Sequence, residues 1–167
     1  MIRYPIGGAN MRRNWNEKEE DRKKGNQFEH FVTSLFDKKT FDILEGTRHY
    51  NELRPDQLTE ENKATDMKFK HLGTGTEFYV QCKYRSSMDE TLEWTKHRKL
   101  ILYRSFRKQN KCKFFVAVSI GENPHNPEKL YFGDLSKFHH CKMWPGTYEH
   151  LERPNPKEPI DFWKDLK

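Results

Sequence analysis

The segment TEFYVQCKYR, residues 76–85, decides the fold of this chain. Its apolar residues recur at every second position, at Phe78, Val80 and Cys82. That two-residue period is typical of a β-strand. The opposite parity carries Gln81 and Lys83. We therefore predict a strand with one buried apolar face and one polar face.

The residues before this strand predict a hairpin, because glycines flank Thr74 and offer a tight turn. A two-residue turn at Gly73 and Thr74 places Asp66 opposite Gln81, and a turn shifted by one residue places Asp66 opposite Lys83. Paired residues of an antiparallel ladder point to the same face. Both registers therefore gather Asp66, Gln81 and Lys83 on the polar face.

A carboxylate, an amide oxygen and an ammonium group in one place suit a hydrolytic metal site. Mg²⁺ prefers oxygen ligands, often one or two carboxylates completed by water and phosphate. A lysine beside the ion orients the attacking water and balances phosphate charge. The alternative is an exposed polar strand face with an Asp–Lys pair. Features elsewhere in the chain are needed to distinguish a metal site from such a face.

Composition places the chain among folded proteins with a polyanionic partner. Its 167 residues suffice for one domain, and aromatic residues at 14% supply bulky core packing. A net charge of +6 favours nucleic acid, although Asp and Glu number 25. The sequence has neither an apolar leader segment nor an apolar run of membrane-spanning length, so we expect no membrane association and a cytoplasmic location. Its 3 cysteines are widely spaced, which predicts reduced thiols.

The remaining elements predict an α/β fold with a mixed sheet flanked by helices. We predict a helix over 16–36, a strand over 41–47, a cationic helix from Ser87 or Asp89 to about Lys108, and a fully covered strand over 112–120. A strand, a helix and a second strand in this order indicate a crossover between parallel strands. Glu29 lies beside the apolar stripe of the first helix, at the boundary of its buried face.

Three regions are expected along the chain: a flexible basic arm over 1–15, the main domain over 16–140, and a proline-rich tail over 141–167 that packs on the domain or on a partner. We predict contacts to phosphate groups for the cations in and before the second helix, namely Arg85, Lys96, Arg98 and Lys99. The alternative for these cations is an ordinary solvated helix face.

The element order and four residues resemble the PD-(D/E)XK nuclease superfamily, with its restriction-endonuclease-like core. The motifs GNQFEHFV, ATDMKFKH and VQCKYR are similar to those of the Mrr-like and Holliday-junction-resolvase-like branch with a QxK motif. The resemblance implies that Asp66 is the principal metal ligand, that Gln81 replaces the second acid, and that Glu29 is a further ligand, directly or through water. It also implies that Lys83 positions the attacking water. Thr65 stands where the superfamily name has proline.

The implied function is an endonuclease that hydrolyses phosphodiester bonds in DNA with Mg²⁺, for which Mn²⁺ can substitute. Because Gln81 removes one negative charge from the site, a nuclease-fold protein that binds nucleic acid without cutting it is the first alternative. A ribonuclease is the second, since the chemistry does not require DNA. Cutting both strands of a duplex needs two sites, which favours a homodimer.

Overall fold

The computed structural model describes residues 8–45, 67–144 and 146–166. Its helices are α1 (Gly8–Ser34), α2 (His97–Asn110) and α3 (Phe162–Asp165). Its strands are β1 (Phe41–Glu45), β2 (Met67–His71), β3 (Glu77–Arg85), β4 (Leu92–Glu93), β5 (Lys113–Ile120), β6 (Lys129–Asp134) and β7 (Lys142–Met143). Single 3₁₀ turns cover Leu135–Lys137 and Glu149–Leu151.

Five strands form one mixed sheet in the order β1-β2-β3-β5-β6, and β4 pairs with β7 in a separate two-stranded ribbon. Strands β2 and β3 are antiparallel, whereas β3 and β5 are parallel. Because parallel neighbours need a crossover, α2 spans the sheet between them. The predicted α/β fold with a mixed sheet and flanking helices is confirmed.

The hairpin of β2 and β3 has one of the two predicted registers. Met67 pairs with Val80 and Phe69 with Phe78, and the His71 N–H donates to the Thr76 carbonyl at 2.8 Å. This register is the one centred on Gly73 and Thr74. Asp66, the residue before Met67 in the chain, lies outside the described residues.

Both faces of β3 are covered, although its alternation predicts only one buried face. On one face, α1 packs on the first core cluster, which includes Phe28, Phe31, Val32, Phe78, Val80, Cys82, Phe115 and Ala117. On the other, α2 packs on the second core cluster, which includes Tyr79, Leu100, Tyr103, Phe106, Phe114, Val116 and Val118. The polar parity of β3 thus lies under a helix, because the crossover to β5 carries α2 across it.

The first helix begins earlier than predicted. It starts at Gly8 rather than at residue 16 and continues through Gly25. Residues 8–15, assigned by the sequence to a flexible arm, are therefore helical in backbone. Among the residues of α1 whose side chains are described, 17–34, those from Phe28 onward supply the core residues, and the predicted apolar stripe is confirmed.

The second helix begins later than predicted, at His97 instead of at Ser87 or Asp89. The residues between include β4, and Trp94 is completely buried, with its indole N–H donating to the His140 carbonyl at 2.7 Å. Burial of this indole holds the segment in extended form, whereas a helix cap signal alone favours an earlier start. Three apolar residues of α2 are buried: Leu100, Tyr103 and Phe106.

The C-terminal segment packs on both core clusters. Ile160, Phe162 and Leu166 belong to the first cluster, and Met143, Tyr148 and Leu151 belong to the second. The Phe162 ring stacks on His71 with their centroids 3.9 Å apart. Among the helices that the structure describes, none has the length and apolar character needed to cross a bilayer.

Candidate active site

Two of the predicted site residues lie side by side on the central strand. Gln81 is 5% exposed and Lys83 is half-buried, and both belong to the face of β3 that α2 covers. Their neighbours on β5 are Val116 and Val118. The Lys83 ammonium lies 5.9 Å from the centroid of the Tyr103 ring. The strand therefore places an amide and an ammonium group on one face, as the alternation predicts, whereas the cover of that face by α2 was not predicted.

A cleft of about 480 Å³ opens where β3 ends. Strand residues Lys83, Tyr84 and Arg85 line one side, and Asp21 and Lys24 of α1 line the other. The last described pair between β2 and β3 is Met67 with Val80, and β3 runs on from there to Arg85. Lys83 thus lies on the face that α2 covers and also lines this cleft, which is large enough for a phosphate group.

Lys68 belongs to the same sheet face and was missed by the sequence reasoning. It pairs with Tyr79, and its ammonium lies 5.1 Å from the centroid of that ring and 3.6 Å from Glu77 Oε2. The register itself carries the signal, because the partner of Tyr79 must share a face with Gln81. A second ammonium group therefore lies on the candidate face.

The two acidic residues of the predicted site, Glu29 and Asp66, are not seen beside Gln81 and Lys83 in the described part of the chain. Glu29 is half-buried on α1, with its Oε2 atom shielded from solvent. The helix that carries it covers the face opposite Gln81. Asp66 lies outside the described residues, so its assignment remains a prediction.

The donor atoms of this site fit a hard cation only in part. The described residues include no group of three or more histidine, cysteine or acidic side chains placed to hold a metal ion. Gln81 offers a buried amide oxygen, a ligand type that Mg²⁺ accepts. Since an amide brings no charge, an ion here requires a carboxylate such as Asp66 or Glu29.

Tyr84 holds the end of the strand and does not act as a base. Its hydroxyl donates to the carbonyls of Gly121 at 2.7 Å and Glu122 at 3.1 Å. Burial, with the negative charges of Glu122 and Asp21, raises the pKa of Tyr84. The phenol therefore stays protonated and joins β3 to the turn after β5.

Arg85 is engaged inside the protein. Its guanidinium donates to the carbonyls of Tyr84, Glu93 and Trp94 at 2.8, 3.0 and 3.0 Å. Burial lowers the pKa of Arg85, but an arginine stays charged in a protein. Its three donors bind β4 to the end of β3, and its contact with nucleic acid remains a prediction.

We expect Arg85→Lys to destabilise the protein by about 1–3 kcal/mol, because a lysine keeps the charge but cannot reproduce the planar fork. The urea concentration at half-unfolding measures the change. Arg98→Lys, at an exposed position of α2, is the control and should stay within about 0.5 kcal/mol of wild type. Unchanged stability together with weaker binding of DNA would assign Arg85 to the ligand instead.

The other predicted phosphate contacts lie at the N-terminal end of α2. Lys96 is the N-cap residue, and Lys96, Arg98 and Lys99 are all exposed. The first turn of α2 holds no acidic residue. Because the positive end of the helix dipole disfavours cations there, these residues gain nothing from the helix itself.

The comparisons with known proteins find similarity among solved structures. No protein-family model matches the chain, and no curated protein matches it. A solved structure is similar: the Hjc protein of Archaeoglobus fulgidus, a Holliday junction resolvase from an archaeal hyperthermophile. The two are 12% identical with a TM-score of 0.38, over 50% of this chain and 64% of the resolvase. The chain thus matches less than two thirds of that structure, and the likeness assigns no function.

Proposed function

We propose that this chain is a metal-dependent endonuclease that hydrolyses phosphodiester bonds in DNA, with a restriction-endonuclease-like core of the QxK type. The observation that carries the proposal is the position of the buried Gln81 and the half-buried Lys83 on one face of the central strand, with Lys83 in the wall of an open cleft. Placing an amide and an ammonium group beside Val116 and Val118 of the core costs stability that an apolar pair would not. Such a cost is typical of residues kept for chemistry.

In this proposal, Asp66 and Gln81 would hold the ion, and Glu29 would act from α1 as a further ligand, directly or through water. Bound Mg²⁺ or Mn²⁺ supplies Lewis-acid polarisation of the phosphate and activates water. The Lys83 ammonium donates a hydrogen bond that positions the attacking water, and its charge balances that of the phosphate. Lys68, whose ammonium lies 3.6 Å from Glu77 Oε2, adds a second ammonium group on the same face.

The cations at the start of α2 bind the nucleic-acid backbone in this proposal. Lys96, Arg98 and Lys99 are exposed where the helix dipole also favours an anion. Phosphate contacts of this kind position the duplex and carry no sequence information. We therefore expect these cations to bind nucleic acid with little preference for its sequence.

The decisive experiment incubates the purified chain with DNA and with RNA, in Mg²⁺, in Mn²⁺ and in EDTA. We expect DNA cleavage with either metal and none in EDTA, and we expect Asp66→Asn to lose activity by about a hundredfold or more. Binding without cleavage in any metal would favour the non-catalytic alternative. Cleavage of RNA alone would identify a ribonuclease.

A homodimer is part of the proposal, because a cut through both strands of a duplex requires two sites. The cytoplasmic location also remains part of it. Analytical ultracentrifugation with and without DNA measures the stoichiometry of the complex directly.

A further inference from the structure

A second groove, of about 530 Å³, lies between the C-terminal half of α2 and the 3₁₀ turn Leu135–Lys137. Four cations line it, namely Arg104, Arg107, Lys108 and Lys111, and the buried Leu135 also contributes to its wall. The groove is at the other end of α2 from Lys96. Neither the hairpin nor the cleft at the end of β3 contributes to it.

The groove keeps most of its positive charge. No carboxylate of the described residues lines it. Asp134 neutralises Arg107, binding it with both oxygens at 2.7 and 3.2 Å. Arg104 donates to the carbonyls of Phe138 and His139, which carry no net charge. Arg104, Lys108 and Lys111 therefore retain their positive charges, and Arg104 is held in place as well.

These cations belong to one stripe of the helix surface. His97, Ile101, Arg104, Lys108 and Lys111 follow at intervals of four and three residues, and all five are exposed. That spacing places residues on one helix face. The segment from Lys96 to Lys111 includes no acidic residue. The stripe thus leads from the N-terminal end of α2 directly to the groove.

Lys111 occupies a position that favours glycine. It is the C-cap residue of α2, its φ angle is 48°, and its N–H donates to the Arg107 carbonyl. Within the described part of the chain, it is the one non-glycine residue with a positive φ angle. A glycine adopts this left-handed conformation at no steric cost. The lysine is present against that preference, and it lines the groove.

We propose that this groove binds the phosphate backbone of the nucleic acid on the far side of α2 from the cut. The inference rests on the proposed function, because one duplex occupies both places. On the sheet, Lys83 pairs with Val118, while the groove lies just before Lys113, where β5 begins. Along β5, six residues separate Val118, the partner of Lys83, from Cys112, which lines the groove. At about 3.3 Å per residue, the distance between the cut and the groove along the strand is about 20 Å. A duplex covers that distance in about six base pairs.

The test measures binding of two labelled duplexes in EDTA, so that cleavage plays no part. One duplex extends about four base pairs on either side of its centre and the other about twelve. We expect the double variant Lys108→Ala/Lys111→Gly to bind the longer duplex about tenfold more weakly and the shorter one like wild type. The slope of log affinity against log salt should fall by about one to two for the longer duplex, since each lost phosphate contact removes about 0.9.

The control is Lys38→Ala/Lys39→Ala, which removes the same charge from two exposed lysines before β1. Glycine at position 111 suits the left-handed backbone, so the groove variant should stay folded, and circular dichroism verifies this. Equal losses for both double variants, or no loss for either, would overturn the proposal. Failure of the wild-type chain to bind nucleic acid would overturn it together with the proposed function.

The two proposals fail separately. If the wild-type chain cleaves DNA while the groove variant binds both duplexes normally, only the groove proposal is wrong. If the wild-type chain cleaves nothing in any metal while the groove variant loses affinity for the longer duplex alone, the groove is supported and the endonuclease activity is wrong.

Discussion

The Lys83→Ala variant is expected to cleave DNA about 10²- to 10³-fold more slowly than the wild-type chain, while its affinity for DNA in EDTA changes by less than about threefold. The reason is the position of Lys83, on the same strand face as Gln81 and among the residues that line the cleft. A group there acts on the attacking water and on charge that develops in the transition state. Removing it therefore lowers kcat more than it raises KM.

Lys70→Ala is the matched control for Lys83→Ala. Lys70 is a half-buried lysine on the same sheet, but it pairs with Glu77 at the far end of β3. It carries the same charge and lies away from the cleft. We expect its kcat to remain within about twofold of wild type, as for a substitution outside the chemistry. Equal losses in both variants would mean that charge alone matters, and full activity of Lys83→Ala would contradict the assignment.

The hairpin was predictable from the sequence because its signals are local. The alternation from Phe78 to Cys82 sets the faces, and Gly73 next to Thr74 limits the turn to a few registers. A slip of one residue would move the apolar side chains out of the core, so the pattern specifies the register strongly. The shared face of Gln81 and Lys83 follows from the same alternation.

The packing of α2 on the polar face of β3 was harder to predict from the sequence. Whether Gln81 faces solvent or a helix depends on where the crossover places α2, which is a nonlocal property of the sheet. The predicted start of α2 was wrong for a similar reason. Ser87 and Asp89 are good cap residues, but the burial of Trp94 and its hydrogen bond to His140 outweigh that local preference.

The candidate site was predictable in its residue types but not in its surroundings. The sequence indicates Lys83, yet the cleft beside it depends on α1 reaching the end of β3 with Asp21 and Lys24. It also gives no indication that Arg85 binds three carbonyls, because two of them, those of Glu93 and Trp94, belong to a segment predicted to be helical. Basic residues near a site therefore divide into those that hold the fold and those that face outward.

Phe78→Ala should have the opposite effect to Lys83→Ala, with a large loss of stability and retained chemistry. Phe78 is completely buried, and its ring centroid lies 5.5 to 5.9 Å from those of Phe36, Phe41, Phe69 and Phe115. One ring therefore joins the residues just after α1 to strands β1, β2 and β5. Deleting it leaves a cavity among rings that cannot all collapse into it, at a cost of about 3–5 kcal/mol.

Such a loss is a large part of the total stability of a domain, about 5–15 kcal/mol, and should lower Tm by about 10 °C or more. Differential scanning calorimetry measures it. Leu72→Ala, at a residue 50% exposed in the hairpin turn, is the control and should change stability by less than about 0.5 kcal/mol. At a temperature well below the lowered Tm, Phe78→Ala should still cleave DNA, because Gln81 and Lys83 face the other side of the strand. A stable Phe78→Ala variant without activity would mean that the two faces of β3 are not separate in function.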